Sequence, residues 1–267
     1  MIRSIAWKNI WRNKQRSLIV IFAMAVGLLG GTFTAALIFG MSDQKISASV
    51  NREISHIQLH HPKYLENNET QYSINNAESV ADYIKGIPGV KAVTKRTKIT
   101  GMINYSSFSS GVQIIGIKPE EEKNTTTIYQ SICDTCGKYF EGVKKNPVVI
   151  SRKLANKLKA KLHSKIVLRF PKNNGEIQTE AFKIAGIYQT SNTVFDETNV
   201  FVKNSDLADS SGQFFQTSEI AVLLSNNDSL ASVTSNIKAK YPQLSVMTWK
   251  EMQPQLALLE DIGGVEL

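Results

Sequence analysis

Leu18 to Phe39 reads LIVIFAMAVGLLGGTFTAALIF and lies inside a run, residues 17–42, that carries no ionisable side chain. As a helix rising ~1.5 Å per residue, the stretch is about 33 Å long, enough to cross a hydrocarbon core of roughly 30 Å. No water is present there to satisfy its backbone, so the segment must be helical. Arg3, Lys8, Arg12, Lys14 and Arg16 precede it without one acidic residue. That asymmetry keeps the amino terminus cytoplasmic and sends the chain after Asp43 across the membrane. A cleaved signal peptide competes with this reading, but its apolar core usually spans about 7 to 15 residues and ends at a small-residue cleavage site. Here the core is longer, and Ala23-Met24-Ala25 and Ala35-Ala36 fall within it. The segment is expected to remain as an anchor. Gly27, Gly30, Gly31, Thr32 and Thr34 interrupt its Leu/Ile/Val surface. Small residues let membrane helices approach closely, so Gly27, Gly30, Gly31 and Thr34 are the expected packing set; the bland alternative is that Gly is simply common in such spans.

Residues 1–16 repeat the theme on a smaller scale. Ile2, Ile5, Ala6 and Ile10, with Trp7 and Trp11 one step round, gather on one side of a helix, while Arg3, Lys8, Arg12 and Arg16 take the other. Tryptophan and basic side chains favour the headgroup zone, which predicts a short interfacial helix with Trp7, Trp11, Arg12 and Arg16 at the membrane surface. An ordinary charged flank is the alternative. The chain holds 31 basic and 23 acidic residues. With the five basic residues of the opening set aside, 26 face 23, which excludes a nucleic-acid footprint. At 42 per cent hydrophobic and 20 per cent charged, with seven Pro, the outer segment is composed to fold.

Beyond the span, Ile46 and Val50 continue a helical spacing over 41–52 and predict a stalk. His56-Ile57-Gln58-Leu59-His60 alternates as a half-buried strand does. Of the histidines at 56, 60 and 61, His56 and His60 would then share a polar face about 13 Å apart, which favours solvent-facing side chains over a metal site. A helix is predicted over 77–85, with Asn75 and Glu78 as a capping pair and Pro88-Gly89 as its stop; a strand follows over 90–94. The pattern recurs as a strand over 220–224, a helix over 227–240, a stop at Pro242 and a strand over 244–247. Two related strand-helix-strand halves result. Between them the texture is richer in strand: two strands within 97–117, an acidic turn over 119–124, a strand over 148–150, a helix capped by Ser151 with Leu154, Ala155, Leu158 and Leu162 on its apolar face, and a hairpin through Asn173-Asn174-Gly175. The fold class expected is α+β: one transmembrane helix, then a two-lobed outer domain of two βαβ halves with an inserted strand-rich lobe.

Cys133-Asp134-Thr135-Cys136 has the spacing of a redox pair, and an oxidising exterior favours a disulfide between Cys133 and Cys136. Its polar setting, without a βαβ redox context, points to a local structural bridge rather than to oxidoreductase chemistry. No Gly-x-Ser-x-Gly elbow, metal-ligand set or phosphate-binding Gly-x-x-x-x-Gly-Lys-Ser/Thr loop occurs, so no catalytic, metal or cofactor-binding residue is assigned.

Several segments in order resemble one family. They are Trp7-Lys8-Asn9-Ile10-Trp11-Arg12-Asn13-Lys14-Gln15-Arg16-Ser17, His56 to His60, Gly116-Ile117-Lys118-Pro119-Glu120-Glu121-Glu122, and Val148-Val149-Ile150-Ser151-Arg152-Lys153-Leu154-Ala155-Asn156-Lys157-Leu158. The family is that of the permease subunits of MacB/FtsX-type ABC transporters, and the resemblance is closest to the LolC/LolE lipoprotein-releasing branch. It implies a cytoplasmic elbow helix at 1–16, a transmembrane helix at 17–41, a first half of the periplasmic core lobe with its stalk at 42–115, an inserted lobe at 116–215, a second core half at 216–248 and a descending stalk helix at 249–267. It also implies a bacterial inner-membrane location, a cytoplasmic ABC ATPase partner that carries the ATP and Mg, a second permease subunit in a dimer, contact with membrane lipid, and a lipoprotein or hydrophobic substrate passed on to a periplasmic carrier. The chain itself would be no enzyme. Such permeases return to the membrane through three further helices; none follows here, which suggests a truncated chain. The competing class is a single-pass, membrane-anchored binding module without transport activity.

Overall fold

A computed structural model describes residues 14–67, 71–172, 175–207 and 216–263. The apolar run lies in helix α1 (Lys14–Ser49), which is long and apolar enough to cross a membrane. Its large side chains face outward: Phe22 is 67 % and Leu28 70 % exposed. Such a surface suits hydrocarbon and not water. The hydroxyls of Thr32 and Thr34 turn back and donate to the carbonyls of Leu28 and Gly30 at 2.9 and 2.8 Å, so neither reaches into lipid unpaired. After Ser49 the helix widens into a π-turn (Val50–Ile54) that closes through Ser55 N donating to Val50 O at 2.9 Å. Ser55, at φ 62°, then breaks the spiral. The elbow expected over 1–16, with Trp7, Trp11 and Arg12, lies outside the described residues except for Lys14 to Arg16, which open α1. The chain divides into two compact units, residues 1–46 with 255–267, and residues 47–254.

The second unit begins with β1 (Ile57–His60), α2 (Ala77–Lys85) and β2 (Val90–Tyr105). It continues through β3 (Phe108–Ile117), α3 (Pro119–Thr125), β4 (Ile132–Gly137), β5 (Pro147–Ser151), α4 (Arg152–Leu158), β6 (Lys165–Pro171) and β7 (Ile177–Tyr188). It ends with α5 (Thr193–Thr198), β8 (Asn199–Lys203), β9 (Glu219–Leu224), α6 (Leu230–Lys240), β10 (Ser245–Thr248) and α7 (Trp249–Met252), after which α8 (Pro254–Gly263) follows.

Two sheet systems share one strand. The strand-helix-strand halves β1-α2-β2 and β9-α6-β10 interleave in the order β10-β1-β9-β2, with every neighbour antiparallel. This is the split βαβ arrangement. The second system is a ring: β2 pairs β3, β3 pairs β8, β8 pairs β5, β5 pairs β7, β7 pairs β6, and β6 returns to β2. Six strands thereby close a barrel without a free edge. Ile99, Ile103, Ile114, Val148, Ile166, Phe182 and Val200 form its core, and Leu154 and Leu158 of α4 join them. Strand β2 holds the two systems together, pairing β9 through residues 90–96 and β3 through 96–105. Gly101 lies between Ile99 and Ile103 in the alternation, where a Cβ would come within 2.5 Å of the Arg169 carbonyl oxygen; only glycine lets β2 approach β6 this closely.

Several local expectations are corrected. The strands placed at 90–94 and from 97 are one continuous β2. The acidic turn over 119–124 is helix α3, with Pro119 in its first turn and Glu120, Glu121 and Glu122 favourably placed at its positive end. Asn75 and Glu78 form no capping pair: Asn76 takes the cap in a left-handed conformation without a side-chain bond, and Glu78 pairs with Lys95 instead. The stalk helix expected over 249–267 breaks at Gln253, because Pro254 lacks an N–H and pushes the preceding residue out of the helical region. Histidines expected in solvent are drawn inward: His60 is 3 % exposed, since β1 is an inner strand flanked by β9 and β10 and not an edge.

Candidate functional site

Alternation along β2 puts Thr94, Arg96 and Lys98 on one face. Register then aligns side chains across three strands: Arg96 stands opposite Glu219 of β9, and Glu219 opposite His60 of β1. Arg96 and Glu219 are 3 % and 0 % exposed. Charges buried so deeply must find partners, and helix α3 brings the fourth member. Glu122 accepts from Arg96 Nη2 at 2.7 Å and from Nε at 3.2 Å, while Arg96 Nη1 donates to Glu219 Oε1 at 2.8 Å. The planar guanidinium fork suits this double grip in a way a lysine would not. Thr94 and Thr126 hydroxyls fill the remaining lone pairs of Glu122 at 3.0 and 3.2 Å, and Lys98 pairs with Glu219. Two cations and two carboxylates thus neutralise one another and pin α3, β2 and β9 together.

Electrostatics follow from burial. Burial alone would lift the Glu219 carboxyl, but Lys98, Arg96 and His60 outweigh it and hold the group at about 2. Burial would likewise weaken the Arg96 proton, and Glu122 and Glu219 more than restore it, raising its pKa. For His60 burial wins: the ring titrates below its ordinary value, with Glu219 opposing and Lys98 reinforcing the shift. Its Nδ1 meets Ser218 O at 3.1 Å, its Nε2 meets Gln58 Oε1 at 3.1 Å, and the Tyr64 ring stacks on it at 5.3 Å. The other two clustered histidines hold backbone instead: Nδ1 of His56 accepts from Leu224 N and Nδ1 of His61 from Lys63 N, both at 3.2 Å.

Beside the network lies a groove of about 480 Å³. Gln58, Arg96 and Lys98 form its polar wall, while Phe195, Met247 and Met252 form an apolar one. Arg52 and Gln253 also line it, where the backbone enters and leaves this unit. The two strands of traffic are tied there by Ser49 Oγ donating to Gln253 Oε1 at 3.3 Å. An arrangement with fully committed charges and one mixed-polarity groove can brace the entrance of the domain and can receive an amphipathic group. Trp249, nearly fully buried, anchors the exit, and Thr248 with Glu251 forms a reciprocal capping box at the start of α7.

The sites named from sequence fall elsewhere. Gly27, Gly30 and Gly31 on α1 have no described atom within 4 Å of an added Cβ, apart from the helix's own backbone. Arg16 stands in the first turn of α1. Cys133 and Cys136 are bonded to each other. The sequence reading missed Arg96, Lys98, Glu122 and Glu219; the signal available was a basic triplet, Lys95-Arg96 and Lys98, inside a strand, together with Glu219 at the head of the apolar run Ile220 to Leu224.

The MacB-like periplasmic core domain family matches residues 17–240. Among solved structures, the periplasmic region of MacB from Actinobacillus actinomycetemcomitans is similar with a TM-score of 0.50 at 13% identity, over 80% of this chain and 98% of that one. The extracellular domain of the noncanonic ABC-type transporter YknZ from Gram-positive bacteria has a TM-score of 0.48 at 18% identity, over 73% of this chain and 100% of that one. No curated protein matches.

Proposed function

Because this chain belongs to the MacB/FtsX-type permease family and carries its MacB-like periplasmic core domain, we propose that it is a permease subunit of the lipoprotein-releasing LolC/LolE branch. In this reading a separate cytoplasmic ATPase, which holds the ATP and Mg, moves the membrane helices. The chain carries that motion to its outer domain, which expels a lipoprotein or another hydrophobic substrate. The protein lies in the bacterial inner membrane with a cytoplasmic amino terminus, pairs with a second permease subunit, and has no catalytic residue of its own. One observation supports the permease reading: the family match spans residues 17–240, from the apolar helix through α6. The tie between Ser49 and Gln253 supports it, since a joint that bears load needs its two strands fixed to each other.

Purification of the native protein from gently solubilised membranes tests the proposal. An ATP-hydrolysing subunit is expected to accompany it, and purified material that never contains one overturns the reading. The groove favours a second reading, a membrane-anchored module that binds an amphipathic ligand without ATP-driven work. That reading predicts ligand binding by the protein alone, unaffected by nucleotide.

A further inference from the structure

Residues 133–136 stand off the barrel. Strand β4 meets β7 only at Ile132 opposite Tyr188 and at Gly137 opposite Gly186, so the four residues between form a bulge whose ends are joined by the Cys133–Cys136 disulfide. Gly137 is held at φ 89°, and its Cα lies so close to the Ala185 carbonyl that a Cβ would come within 2.3 Å of the oxygen. The bulge is therefore hinged on a fixed point at one end. Cys133, Asp134 and Thr135 are exposed, while Cys136 is half-buried. A guanidinium sits over the bond from outside the bulge: Arg152 Nη2 lies 2.9 Å from Cys136 Sγ and 3.4 Å from Cys133 Sγ. Arg152 is set in place by the turn before it, where Ser151 Oγ accepts from Leu154 N at 3.0 Å.

We propose that Cys133–Cys136 is a thiol–disulfide exchange site that reacts with an extracytoplasmic dithiol, with Cys133 as the sulfur attacked and Arg152 as a positioning residue for the departing Cys136 thiolate. The proposal goes beyond the transport reading and does not depend on it. A thiolate must approach along the S–S axis at the more open sulfur, and exposure selects Cys133. Its sulfur bonds to Cys133 Sγ, the bond between Cys133 and Cys136 breaks, and the electron pair leaves on Cys136 Sγ. A nearby positive charge stabilises a thiolate, and the better the leaving thiolate is stabilised, the faster the exchange. The second thiol of the dithiol then displaces Cys133, so the dithiol is oxidised by two electrons and both cysteines are reduced. Reduction frees the bulge between Ile132 and Gly137 while the barrel, whose six-stranded ring does not include β4, stays closed.

The test uses the full chain in detergent micelles. Brief exposure to glutathione, acid quenching and peptide mass spectrometry locate the mixed disulfide, which is expected on Cys133; equal amounts on both sulfurs, or a majority on Cys136, overturn the proposal. Dithiothreitol reduction is then followed by thiol appearance. Arg152→Gln is expected to slow it about three- to tenfold, while Arg152→Lys, which keeps a positive charge, recovers much of the rate. Equal rates in wild type and Arg152→Gln would leave Arg152 without the role assigned. Cys133→Ser with Cys136→Ser, compared with wild type by limited proteolysis, is expected to leave the barrel fragment intact; loss of that fragment would make the bridge a structural staple and overturn the exchange role.

Discussion

Arg96 concentrates the physics of the outer domain in one side chain. Removing it takes from the buried Glu122 its cation and leaves Glu219 with Lys98, and breaking a buried pair in this way costs about 3–5 kcal/mol. Arg96→Met is expected to lose stability of that size in chemical denaturation, whereas Lys123→Met, in a pair with Glu120 whose acidic partner is highly exposed, changes little. Acid acts on the same cluster. The Glu219 carboxyl is held at about 2 in the folded chain against an ordinary 4.5, so its contribution is complete above 4.5 and is lost as pH falls from there towards 2. His60 is depressed below its ordinary 6.5, so it too contributes fully above 6.5 and withdraws as pH falls through its lowered value. Both slopes have the same sign. Stability measured against pH is expected to decline once below 6.5 and more steeply below 4.5; a maximum at pH 4 would contradict the assignment.

Strands and helices were legible in proportion to how local their causes are. Helix α2 stands where Ala77 to Lys85 predicted it, and β9 and α6 follow the second strand-helix pattern, because spacing and stop signals lie within each segment. Ser151 capping α4 was equally local. Strand β8 has no turn signature and forms because β3 and β5 flank it, which is a tertiary cause. The burial of His60 has the same origin: alternation in β1 describes a half-buried strand, and only the sheet order reveals neighbours on both edges. The ion network was hidden for that reason too, since Arg96 and Glu219 are 123 residues apart in sequence. At this scale Gly101 offers a sharp test. Gly101→Ala would drive a Cβ into the Arg169 carbonyl oxygen, a backbone atom that cannot rotate away. A loss of about 1–3 kcal/mol is expected by thermal or denaturant unfolding, while Gly111→Ala, whose Cβ meets no described atom within 4 Å, is expected to be mild.

As a whole molecule the chain combines an apolar helix whose outward side chains demand lipid with a domain that carries its own core. Membranes washed with alkaline carbonate are expected to retain the protein, and detergent to release it; recovery in the carbonate wash would contradict the anchor. The two lobes of the outer domain, by contrast, are not separable parts. Strand β2 lends residues 90–96 to one and 96–105 to the other, so the barrel cannot be grafted between relatives as a cassette by cutting there. A single residue gained between Arg96 and Ile99 would turn the inward row of Ile99 and Ile103 outward, because side chains alternate with a period of two. Tolerated variation in length should therefore be confined to the hairpin tips, such as Ser106 and Ser107, and the length of this one strand ought to be the least negotiable dimension of the architecture.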